Sequence, residues 1–124
     1  MPYNNVYCDN MKRLVILITK PPHSDEGAER MCGVSKLATQ KEKEVSIYLM
    51  GDGVLCAKRN QSGYVGTSIG DALRHGVEVY ASKKDLYARG LSKERVEDKV
   101  TIVEDIEGHF LDDIMERSDK VISW

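Results

Sequence analysis

The chain is short of aromatic bulk: its 124 residues include one Trp and one Phe beside six Tyr. Aliphatic side chains must therefore fill most of its core. No apolar run approaches the ~20 residues that a membrane-spanning helix needs, and "MPYNNVYCDN" lacks the apolar stretch of a secretory signal. The expected setting is the cytoplasm, with no membrane partner. An excess of one charge is also missing, since 18 Lys and Arg stand against 20 Asp and Glu, a formal net charge of −2. A nucleic-acid binder would show a clustered basic excess, so direct nucleic-acid binding is not expected. Cysteine is scarce too: Cys8, Cys32 and Cys56 form no C-x-x-C pair and have only three histidines to help them. That spacing offers neither a zinc site nor a disulfide framework in a reducing compartment, and no metal or cofactor is expected. Packing or individual reactivity remains for each thiol.

Nucleotide signatures are absent as well. There is no G-x-x-x-x-G-K-[ST], and "GDGVLC" carries cysteine where G-x-G-x-x-G needs its third glycine. The first apolar run leads into "KPPH" rather than into a glycine-rich phosphate cradle.

What is present is an alternation of strand and helix patterns. Residues 1–11 read as a tail and 12–124 as a single domain. Leu14–Thr19 is an aliphatic run of the kind found in a strand buried on both faces, and Pro21 and Pro22 end it. Ser24 has the character of an N-cap, with Asp25 and Glu26 in the first turn. Ala28, Met31, Cys32, Ser35 and Ala38 then recur at helical spacing. Val45–Met50 is a second strand, stopped by "GDG". The segment "VLCAKRNQSGYVGTS" reads as a loop with room for a short helical turn. Ile69–His75 follows as a brief helix closed by Gly76. Val77–Ala81, Val100–Val103 and Val121–Trp124 read as further strands, with helices over Lys83–Arg89 and Ile106–Arg117. This order predicts a three-layer α/β fold, a mostly parallel sheet of about five strands flanked by helices.

In such sheets, sites lie beyond the carboxyl ends of the strands. Cys56 falls there, after "GDGVL", with Lys58 and Arg59 close in sequence. Cations near a thiol favour the thiolate, the form that attacks or carries sulfur. Against this, a cysteine without a disulfide is among the most buried residue types, so Cys56 packing inward is the alternative. Cys32 lies on the apolar face of the first helix, beyond the turn where the dipole helps, and position alone favours packing. Cys8 sits in the tail. His23, after two prolines, has a place from which to orient a substrate or take a proton, or else it is a solvated loop residue. His75 beside a helix end has a structural use there, and His109 on a surface helix suggests nothing. Asp52 is most simply a turn residue, although its carboxylate would face the same site as Cys56.

Four segments, "LVILITKPP", "GDGVLCA", "VYASKKDLYARG" and "DKVISW", occur in an order that resembles the DsrE/DsrF/DsrH superfamily of sulfur-relay proteins, and within it the DsrH/TusB branch. The resemblance implies a DsrE-type fold, homo- or hetero-oligomers with DsrE-, DsrF- or TusA-like carriers, and sulfur handled as a cysteine persulfide. Destinations would be tRNA thiolation or sulfur oxidation, and the chain would be a sulfurtransferase-like carrier at most. The acceptor cysteine of the DsrE/TusD branch corresponds here to Ser82. Cys32 falls at or within a residue of a first-helix cysteine found in some DsrH proteins, whereas Cys56 stands where the branch usually has alanine. "KRNQSGYVGTSIGDALRHG" is longer than is usual. The expectation is a sulfur carrier working through Cys56 or Cys32, with Lys58, Arg59, Asp52, His23 and Ser82 about the sulfur. The alternatives are a non-catalytic subunit of such an oligomer and a module that binds a small anionic ligand.

Overall fold

The computed structural model describes residues 12–22, 27–59 and 64–124. Cys8, His23 and the expected cap at Ser24, Asp25 and Glu26 lie outside them, as do residues 1–11, where a tail was expected.

Strand β1 (Arg13–Ile18) owes its place to its aliphatic run. Leu14, Ile16 and Ile18 point to one side of the sheet, while Val15 and Leu17 point to the other. It pairs in parallel with β2 (Glu44–Leu49) on one side and β5 (Lys120–Ser123) on the other, with Ile16 opposite both Ile47 and Ile122. Strands β3 (Glu78–Ser82) and β4 (Thr101–Val103) extend the sheet beyond β2, giving the order β4-β3-β2-β1-β5. All five strands are parallel.

The chain steps outward from β1 through helix α1 (Gly27–Gln40), helix α2 (Tyr64–Arg74) and helix α3 (Lys83–Ala88), then returns through helix α4 (Ile106–Glu116) to the far side of β1. That reversal puts α4 on the opposite face, because right-handed crossovers change face when strand order changes direction. On the first face α1 and α2 bury Cys32, Ala38, Ile69 and Ala72 against Ile16, Ile47 and Val79. Lys36 and Asp71 join the two helices at 2.8 Å.

One element departs from the sequence expectation. α2 begins at Tyr64 rather than at residue 69, and residues 51–57 form a seven-residue 3₁₀ turn. Gly66, Thr67 and Ser68 are weak helix formers, so this stretch reads as a loop. Burial of Ile69 and Ala72 supplies what local propensity does not.

The second face carries both apolar packing and a buried ion pair. Arg13, 5% exposed, gives two hydrogen bonds of 2.8 Å to the fully buried Asp113 of α4. It gives a third, of 2.6 Å, to Ser46. Glu44 and Glu78 lie within 3.3 and 3.7 Å of the same guanidinium. Burial alone would raise the Asp113 carboxyl. The hydrogen bonds from Arg13 and then Tyr48, with the Arg13 charge, overcome that and hold it below the usual carboxylate range.

Removing one member of a buried pair leaves the other charged and unmatched. Asp113→Ala is therefore expected to destabilise the fold by about 3–5 kcal/mol, while Arg13→Met with Asp113→Leu recovers much of the loss, both read from urea unfolding. A lowered carboxyl stabilises the fold above its unfolded value, about 3.9, and that stability is lost as pH falls through the folded value. Acid unfolding of the wild type should therefore steepen below about pH 4, less so in Asp113→Asn, if Asp113 acts as described.

Candidate functional site

The strand ends are built around the "GDG" that follows β2. Met50 N–H donates to Ile18 O at 3.1 Å, and Gly51 turns the chain with φ +56°, a left-handed conformation that suits glycine. The 3₁₀ turn then lies against the end of β1. A side chain at Gly53 would collide with the carbonyl of Ile18, so only glycine permits this approach. Close packing carries Val54, Cys56 and Ala57 into the core.

Cys56 is 0% exposed and Cys32 is 2% exposed, and neither is in a disulfide. Both belong to the first-face core. The rim thiol expected from the sequence is thus displaced inward by the tightness of the turn. Burial pushes the Cys56 thiol up to about 12, which keeps it protonated near neutral pH.

The two residues expected to favour a thiolate both engage the neighbouring loop, Lys58 through its backbone and Arg59 through its backbone and guanidinium. Lys58 forms an antiparallel bridge with Val96. Arg59 N–H donates to Arg95 O at 2.6 Å, its guanidinium donates to Val96 O at 3.0 and 3.2 Å, and it also pairs with Asp98. The Lys58 backbone and the Arg59 guanidinium thus hold residues 95–98 against the turn.

Asp52 is at the rim, as expected of a turn residue, and pairs with Arg89 at 2.8 Å. Ser82 is 3% exposed and caps α3, its hydroxyl oxygen accepting Asp85 N–H at 3.3 Å. Asp85 in turn accepts Gly51 N–H at 2.9 Å. Asp52 and Ser82 are therefore joined through Asp85 and Arg89, not through either cysteine. A cleft of about 430 Å³ opens beside β4, with Lys83, Tyr87, Val96, Val100, Ile102 and Glu104 in its walls. Among the described residues no group of three or more His, Cys, Asp and Glu is arranged to hold a metal ion, and no helix is long and apolar enough to cross a membrane.

"GTSIG", residues 66–70, spells the G-x-S-x-G of hydrolase nucleophile elbows. Here its backbone lies within α2. An elbow requires a sharp strand-to-helix turn, so the match has no catalytic geometry.

The polar cluster on the second face was not anticipated. Its signal was the spacing of His109, Asp113 and Arg117, which places all three on one side of α4. The partners Arg13 and Tyr48 come from strands distant in sequence, and no local pattern joins them.

A family model described as DsrE/DsrF-like matches residues 12–124. No curated protein matches the sequence. Among solved structures, the chain is similar to the YchN protein of E. coli, with 22% identity over 92% of this chain and 100% of that one, at a TM-score of 0.79. It is also similar to MTH1491 of Methanobacterium thermoautotrophicum, described as of unknown function, with 18% identity over 91% and 99% of the two chains and a TM-score of 0.72. BT1422 of Bacteroides thetaiotaomicron, likewise described, shows 21% identity over 91% and 95% at a TM-score of 0.71. These likenesses show the fold.

Asp85 accepts a backbone donor at the tight turn, whereas Asp52 joins only an exposed ion pair. Asp85→Ala is accordingly expected to cost about 1–3 kcal/mol of stability and Asp52→Ala less than about 1 kcal/mol, compared by chemical denaturation. Equal losses would show that the Gly51 contact is not what holds the turn.

Proposed function

Because the chain belongs to the DsrE/DsrF-like family, we propose that it is a subunit of a sulfur-relay assembly and does not itself carry the sulfur. The observation that carries this reading is the burial of Cys32 and Cys56 in the apolar core. A persulfide carrier must meet its donor and acceptor, and sulfur exchange proceeds through a thiolate. A protonated thiol under a packed turn meets neither need. Ser82 supports the same reading, because it stands at the position that the resemblance assigns to the acceptor cysteine of carrier members.

The persulfide in such an assembly is held by DsrE-, DsrF- or TusA-like partners in the cytoplasm, with tRNA thiolation or sulfur oxidation as the outlet. The DsrH/TusB-like segments support a place beside a DsrE-like carrier. Assembly is supported by the apolar groups that the fold leaves outside: Leu111 and Met115 on α4 are 51% and 80% exposed, and Val121 on β5 is 43% exposed.

The test is incubation of the folded Cys8→Ser protein with a polysulfide donor, followed by intact mass. No added sulfur is expected until the protein is unfolded. A one-sulfur gain on Cys56 or Cys32 in the folded state would reverse the assignment and make this chain the carrier.

A further inference from the structure

The second sheet face holds more polar apparatus than an ion pair requires. Tyr48 is fully buried at its centre, stacked on Tyr80 with ring centroids 4.9 Å apart. Its hydroxyl is 2.8 Å from Asp113 Oδ2 and 2.8 Å from His109 Nδ1. The direction of these bonds follows from the groups involved. The Asp113 carboxylate, ionised beside Arg13, only accepts, so Tyr48 must spend its single proton there. Its oxygen is then an acceptor towards His109, and Nδ1 must carry the hydrogen. Neutral His109 is thereby left with a bare Nε2 on the other side of the ring.

The ring is also held in place. It lies 4.7 Å from the Tyr80 ring and 5.6 Å from that of Tyr48, and His109 itself is half-buried. The charged groups linked to it through the two tyrosines are Asp113, which accepts from Tyr48 and pairs with Arg13 and Arg117, and Glu78, which accepts from Tyr80 at 2.6 Å. Arg13 fixes Asp113, Asp113 orients Tyr48, and Tyr48 sets the His109 tautomer.

We propose that this face is an acid–base site at which His109 takes a proton, through Nε2, from a thiol supplied by another molecule, with Tyr48 and Asp113 as positioning residues. The choice of a thiol rests on the sulfur-relay reading above and on acid strength. A free thiol lies only about two pH units above a free imidazole, while phenol and ammonium groups lie about four above. Among the described residues the cysteines, Cys32 and Cys56, pack on the opposite face, so neither of them is that thiol. In the step an S–H bond breaks and an Nε2–H bond forms, leaving a thiolate and an imidazolium. No electrons change hands, and the proton returns when the thiolate is reprotonated.

The experiment is long-range proton–nitrogen NMR on histidine-labelled protein, above the pH at which imidazole is protonated. Wild type should show Nδ1–H and a bare Nε2 at His109, with Tyr48→Phe shifting the ring towards Nε2–H. Addition of N-acetylcysteine amide should shift the His109 ring resonances saturably, N-acetylserine amide should not, and Tyr48→Phe should weaken the response. A wild-type proton on Nε2, or equal responses to thiol and alcohol, or none to either, overturns the site. Those results leave the non-carrier reading standing. A sulfur adduct on Cys56 would end that reading without altering the tautomer.

Discussion

The contact between Gly53 and the carbonyl of Ile18 decides how the strand-end region of this protein works. Because residue 53 has no side chain, the 3₁₀ turn settles directly on the end of β1. That settling drives Cys56 into the core and turns Lys58 and Arg59 towards residues 93–98. A larger residue would hold the turn away from the strand and bring the thiol nearer to solvent. The same short segment that looks like a reactive loop is thus a seal.

The two faces of the sheet divide the chemistry between them. Under α1 and α2 the packing is apolar, and both described thiols lie within it. Under α4 the packing is built around Arg13, Asp113, Tyr48 and His109, whose hydrogen bonds satisfy one another in sequence. A buried pair of this kind often contributes no more to stability than apolar packing of the same volume would. In the proposed acid–base site the pair acts instead by orienting the half-buried imidazole.

Much of the architecture was legible in the sequence because the largely apolar runs at 14–18 and 45–49 have strand length and end at proline or glycine, and the helices between successive strands call for parallel crossovers. The family was legible from four short segments, and the family match over residues 12–124 agrees with them. The start of α2 was hidden because Gly66, Thr67 and Ser68 favour loops locally, while the packing that makes them helical is tertiary. Cys56 was placed at the right end of the sheet, and of its two readings, reactive at the rim or packed inward, the structure has the second. Nothing in "GDGVLC" reports how closely Gly53 approaches a strand thirty-odd residues earlier. His109 was passed over for a similar reason, since its partner Tyr48 lies on β2 and only the folded sheet brings the two together.

The central claim is that the fold keeps its two core thiols out of reach. It is tested most directly by the rate at which iodoacetamide alkylates Cys32 and Cys56 across a urea series, in Cys8→Ser protein. If the seal is as described, both rates rise only with urea and in step with global unfolding, because each thiol becomes reachable when the core opens. Rapid alkylation of Cys56 in the absence of urea, insensitive to the first additions of denaturant, would contradict the account.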